Sequence, residues 1–213
     1  MFDTNHGPTG MKRFYPTLWL LLLTALLGAC SGVPGQPVGG GVSAEPVTEF
    51  DEPENRKRAR IRIELASGYF EQGQTTVALD EIKQALAADP NYAPAYNLRG
   101  LVYMQLNEPA LAESSFNRAV QLNPRDADAM HNLGWMWCQQ GRVVPSLEQF
   151  GRALAVPGYT NAARTWMAQG VCQVRAGQNA EAEKSLTRAF ELDASNPITM
   201  YNLARLQLQR GDA

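Results

Sequence analysis

The apolar and polar positions divide this 213-residue chain into three stretches. Leu18 to Leu27 is an apolar run around Trp19, broken only by Thr24. It is about half the roughly twenty residues a membrane-crossing helix needs. Residues 31–55, SGVPGQPVGGGVSAEPVTEFDEPEN, show no apolar period. A stretch of that composition buries too little surface to offset its ordering entropy. Beyond it, apolar residues recur at spacings of three and four, which predicts amphipathic helices. Ala78, Ile82 and Ala85 form one stripe, and Ala112, Phe116 and Ala119 form another. Gly73, Gly141 and Gly177 stand where a first helix must end and the chain turn. Pro90 and Pro124 stop the second helix of a pair.

The helix pairs repeat. Residues 65–90 align with 99–124 and then with 133–157, each at an offset of 34. Residues 169–193 follow after a two-residue insertion around Gly158 and Tyr159, and a fifth unit opens at Met200. The second unit carries Tyr96, Gly100, Tyr103, Ala112, Phe116, Ala119 and Pro124, with Arg99 at an otherwise apolar position. The third keeps Leu133, Gly134, Gly141, Phe150 and Ala153, with Trp137 and Ser146 as variants. The fourth keeps Trp166, Gly170, Gly177, Ala182 and Ala189, with Gln173 and Leu186 as variants. This pattern resembles the tetratricopeptide repeat. The expected fold is all-α, a superhelix of four full repeats plus a partial fifth, because each pair buries its stripe only against neighbours. The fifth unit supplies a single helix, leaving an apolar face on Leu203, Leu206 and Leu208 uncapped, so the natural protein is expected to continue past Ala213.

In this repeat the concave face comes mainly from the first helix of each pair. Here that selects Ile63, Ser67 and Phe70, then Asn97, Leu101 and Met104, then His131, Trp135 and Cys138, then Met167, Val171 and Val174. The surface is mostly apolar, which suits a helix or apolar peptide of a partner protein. Ile63, Phe70, Asn97, Leu101, Met104 and Trp135 are the candidate contact residues, with core packing the competing role for each. The cations that a two-carboxylate clamp requires are absent from these positions.

Lys12 and Arg13 precede the apolar run and small residues close it, the layout of a secretory signal. Met11, directly before Lys12, is an alternative start to Met1. Leu27, Gly28, Ala29 and Cys30 resemble the bacterial lipobox. That resemblance implies cleavage before Cys30 and acylation of Cys30, several chains on one residue giving a stable anchor. Ser31, in place of an aspartate, favours the outer membrane. The domain plan is a signal peptide over 1–29, the acylated cysteine and flexible tether over 30–56, and the repeat domain over 57–213. As a flexible chain the tether spans on the order of 30 Å.

Of 19 basic and 21 acidic residues, Lys12, Arg13 and Asp3 precede Cys30, leaving 17 against 20. A near-neutral chain without a basic block excludes nucleic-acid binding. The RKRAR run at 56–60 faces EFDEPE just upstream and reads as a solvated helix face. With Cys30 lipidated, Cys138 and Cys172 remain, 34 residues apart on first helices of adjacent repeats. In an oxidising compartment they are expected to form a disulfide that staples the third repeat to the fourth, two free thiols being the alternative if helix registry separates them. His131 is the only histidine beyond the signal. No metal set, cofactor motif, small-molecule site or catalytic constellation emerges, so the chain is not expected to be an enzyme.

Signal, tether and repeat body together resemble the type IV pilus biogenesis/stability lipoproteins of the PilF/PilW pilotin family, part of which also carries the paired cysteines. The resemblance implies a lipid-anchored protein on the periplasmic face of the outer membrane. It would bind the secretin subunit and promote its localisation and multimerisation. The alternative is another periplasmic lipid-anchored repeat adaptor, for peptidoglycan enzymes or outer-membrane assembly machinery.

Overall fold

The computed structural model describes residues 52–211; the apolar run, Cys30 and nearly all of the tether lie outside them. Among the described residues the chain forms nine helices and no strand. They are α1 (Glu54–Glu71), α2 (Thr75–Ala88), α3 (Ala93–Gln105), α4 (Pro109–Leu122), α5 (Ala127–Gln139), α6 (Val143–Leu154), α7 (Ala162–Arg175), α8 (Asn179–Leu192) and α9 (Pro197–Arg210). Helix α1 takes in residues 54–56, assigned above to the tether, because Pro53 stands at its N-cap and Glu54 in its first turn. Arg60 pairs with Glu52 and Glu64, and Arg56 with Asp89, so two of the four cations of the basic run are paired locally; Arg62, just beyond it, pairs with Glu81.

The turns within pairs are alike. Gly73, Gly141 and Gly177 have φ near +74°. The next amide donates back five residues, as from Gln74 to Tyr69 and from Arg142 to Trp137. This is the Schellman closure, which satisfies helix-end carbonyls and requires a left-handed residue. Asn107 fills the same place in the second pair at φ +57°.

What holds each pair together is a contact between unequal residues. A Cβ on Gly100 would lie 2.5 Å from the Phe116 ring, one on Gly134 2.9 Å from Phe150, and one on Gly170 2.5 Å from Leu186. In the first pair Ala66 stands at the glycine position and Ile82 at that of the large residue, both buried. The smaller partner compensates for the added methyl group, so the sum of volumes is kept.

First helices also pack on each other, α1 on α3, α3 on α5, α5 on α7 and α7 on α9. Second helices make no such contacts with one another. The stack therefore curves with first helices inside. Leu206 is buried with Ala182 and Leu186, and Leu203, like Met167 and Val174, packs against that cluster, so the two leucines close the α7–α8 core. This corrects the expectation that both lie open: on α9 it is Ile198, Met200, Tyr201 and Leu208 that stay exposed.

Gly100→Ala is expected to lower stability by about 1–3 kcal/mol through overpacking, outweighing the roughly 1 kcal/mol of helix propensity gained. Gly68→Ala, where a Cβ meets nothing within 4 Å, is the control and should be neutral or stabilising. Urea denaturation of both variants checks this. Phe116→Leu should also cost less in the Gly100→Ala background than in the wild type.

Candidate partner-binding groove

The inner face runs along α3, α5 and α7. Ile63 does not belong to it: only 8% exposed, it lies in the core shared by α1, α2 and α3. Phe70 packs half-buried against the same core. Both were expected in the groove, and helical spacing alone did not separate groove from core. Leu101 touches the cores of the first two interfaces at once, so it is packing as much as surface. Met104 lines a cavity of about 260 Å³ with Met136, Asn107 and Pro109, beside the turn that follows α3. Trp135 lines a separate cavity of about 260 Å³ between α5 and α7, with His131, Asn132, Arg164, Met167 and Ala168. Trp135 is thus the candidate placed most directly in an open site.

Asn97 opens a polar chain that spacing did not reveal. Its side-chain oxygen accepts from Asn132 Nδ2 at 3.0 Å, and Asn132 Oδ1 accepts from Arg164 Nη2 at 3.1 Å. Arg164 Nε donates to His131 Nε2 at 3.0 Å, so the imidazole proton must sit on Nδ1. That proton is donated to Thr165 Oγ1 at 2.9 Å. Thr165 lies 2.9 Å from the Tyr159 hydroxyl, which donates to Asp128 Oδ1 at 3.2 Å. Each donor finds one acceptor, in one direction from Arg164 to Asp128. Burial, and secondarily the Arg164 charge, lowers the His131 pKa to about 3. Burial also raises the Tyr159 pKa, keeping its hydroxyl a donor.

This chain exists because of the insertion. The connections 89–92, 123–126 and 193–196 are four residues long, whereas 155–161 has seven. The longer connection carries Tyr159 to Thr165 and Asp128. Arg164 also lay within reach of sequence reasoning, since 164, 167, 168, 171 and 175 form one helical stripe. Arg175 stands at its far end, its guanidinium 5.6 Å from the Trp135 ring centroid, a cation–π contact.

Beneath the groove, Cys138 and Cys172 form a disulfide with Cα atoms 5.7 Å apart, joining α5 to α7. Phe150 and Ala168 pack around it, and Ser146 Oγ lies 3.5 Å from Cys172 Sγ. Among the described residues no group of His, Cys, Asp and Glu could hold a metal ion. No helix there is long and apolar enough to cross a membrane.

The tetratricopeptide repeat pattern matches residues 63–124, 98–163 and 167–213. The chain belongs to that family. Within it, this tetratricopeptide-repeat chain is 24% identical over 144 residues to the type IV pilus assembly protein PilF of Pseudomonas aeruginosa. The match covers 68% of this chain and 57% of PilF, so the chain spans just over half of that relative. The solved structure of P. aeruginosa PilF shares the fold, with a TM-score of 0.73 at 22% identity, covering 75% of this chain and 72% of that one. The crystal structure of PilW, a type IV pilus biogenesis factor, superposes with a TM-score of 0.68 at 29% identity. That match covers 72% of this chain and 70% of PilW.

Two measurements check the site. Because the unfolded chain takes up a proton at His131 near pH 6.5 and the folded one only near pH 3, stability is present above that window and lost as pH falls through it. The wild type should lose up to about 1.4 kcal/mol per pH unit more than His131→Gln in this range; parallel pH profiles would show that His131 titrates normally in the fold. Thiol titration of denatured, unreduced protein should find neither Cys138 nor Cys172 free, and replacing both by alanine should cost about 2–4 kcal/mol.

Proposed function

We propose that the chain is a lipoprotein of type IV pilus biogenesis, anchored through Cys30 to the periplasmic face of the outer membrane. In this reading it binds the secretin subunit through the first-helix face and promotes secretin localisation and multimerisation. The observation that supports it most is the joint similarity to PilF and PilW, at 24% sequence identity to PilF and a TM-score of 0.68 against PilW. The lipobox-like Leu27–Cys30 and the tether after it supply an anchor and a spacer. The role is that of a scaffold: the groove offers apolar walls and fixed hydrogen-bond donors, with a histidine held neutral rather than poised to move protons.

Crosslinking and affinity capture from membranes of a piliated host should recover the secretin. Gene deletion should reduce denaturant-resistant secretin multimers and twitching, and Cys30→Ala should shift the protein to the soluble periplasmic fraction. Recovery of peptidoglycan enzymes or outer-membrane assembly factors without secretin, together with intact twitching in the deletion strain, would sink the pilus reading. Leu101→Asp is a poor probe of binding, since it would place a charge between two packed cores; Trp135→Ala is the cleaner choice.

A further inference from the structure

The groove between α5 and α7 carries cations without carboxylate partners. The ion pairs among the described residues engage Arg56, Arg60, Arg62, Arg142 and Arg188, and neither Arg164 nor Arg175. Arg164 is exposed yet held on one edge, Nε by His131 and Nη2 by Asn132, while Nη1 has no hydrogen-bond partner there. Asp128, the nearby acidic group, accepts from Tyr159 and Asn161 through Oδ1 and makes no ion pair with either arginine. Arg164 lines the cavity of about 260 Å³ with Met167, Ala168 and Trp135, and Arg175 lies against the ring of that Trp135.

Arg164 and Arg175 are eleven residues apart on one helix, about 16 Å along its axis. An extended segment of roughly five residues covers that length. A guanidinium pre-oriented by two hydrogen bonds loses little freedom on pairing with a carboxylate, and presents its remaining donors in a fixed geometry. Apolar walls alone would accept any hydrophobic peptide; two arginines outside any ion pair, flanking them, select by sign.

We propose that this cavity seats one apolar side chain of an acidic segment of a partner protein, with Arg164 and Arg175 pairing carboxylates on either side of it. This deepens the reading of the first-helix face as the binding surface and rests on that reading, but not on the partner being a secretin. The probe is a short fluorescein-labelled peptide with Leu-Phe inside a pair of glutamates about five residues apart, compared by anisotropy with a copy carrying glutamine at each glutamate. The full chain should bind the acidic peptide at least about fivefold more tightly than the glutamine copy, by a margin that shrinks with added salt. Arg164→Gln and Arg175→Gln should each weaken the acidic peptide about threefold to tenfold and leave the glutamine copy unchanged. Arg175→Gln leaves the His131 network untouched, and thermal melts confirm that both variants fold. A photocrosslinker at position 135 should capture the peptide, and one at position 144 on α6 should not. Equal affinity for the two peptides, indifference of both arginine variants, capture only at position 144, or no binding by the wild type overturns the proposal. No secretin enters this assay, so its outcome and that of the membrane capture are separable.

Discussion

In each helix pair a residue with no side chain, or a single methyl group, lies under a large apolar side chain of its partner helix. Phe116, Phe150 and Leu186 fill the space left by Gly100, Gly134 and Gly170, and Ile82 that left by Ala66. The helix axes can approach only as closely as this contact allows, and dispersion contacts are lost steeply with any gap. Because the contact recurs in each of the four pairs, so does the spacing within them. The first helices then meet each other while the second helices do not, and a continuous inner face results.

On that uniform frame, specialisation is concentrated where the repeat is interrupted. The longer connection between α6 and α7 brings Tyr159 to Thr165, and through it reaches His131 and Arg164. The disulfide between Cys138 and Cys172 joins the same two helices from below. Cross-link and polar chain act on one interface, and both resist relative sliding of α5 and α7. A half-satisfied network would be costly in such a buried place. The direction of donors from Arg164 to Asp128 pairs the His131, Thr165 and Tyr159 side chains, which the low pKa of His131 makes possible by keeping Nε2 an acceptor.

Much of this was legible from residue order. The offset of 34 residues, the glycines at turns and the prolines after second helices determined the helix pairs, because each acts through local backbone geometry. Asn107 escaped the glycine pattern yet fills the same left-handed position, one of the few side chains that tolerates it. The groove was only partly legible. A helical stripe says which residues share a face, but not how deeply a neighbour covers them. Thus Ile63 and His131, equivalent at the 34-residue offset, separate into the α1–α3 core and the lining of an open cavity.

The sequence by itself determined the all-α repeat, the turn positions and the one-repeat spacing of the two cysteines, since these follow from periodicity and local conformational preference. Tertiary structure alone decided that Cys138 and Cys172 come within bonding reach, that His131 is a neutral acceptor for Arg164, and that Arg164 and Arg175 flank an apolar cavity without carboxylate partners. Those features depend on the registry of helices some 30 residues apart, and registry is set by how side chains of different repeats fill shared space rather than by any one segment's pattern.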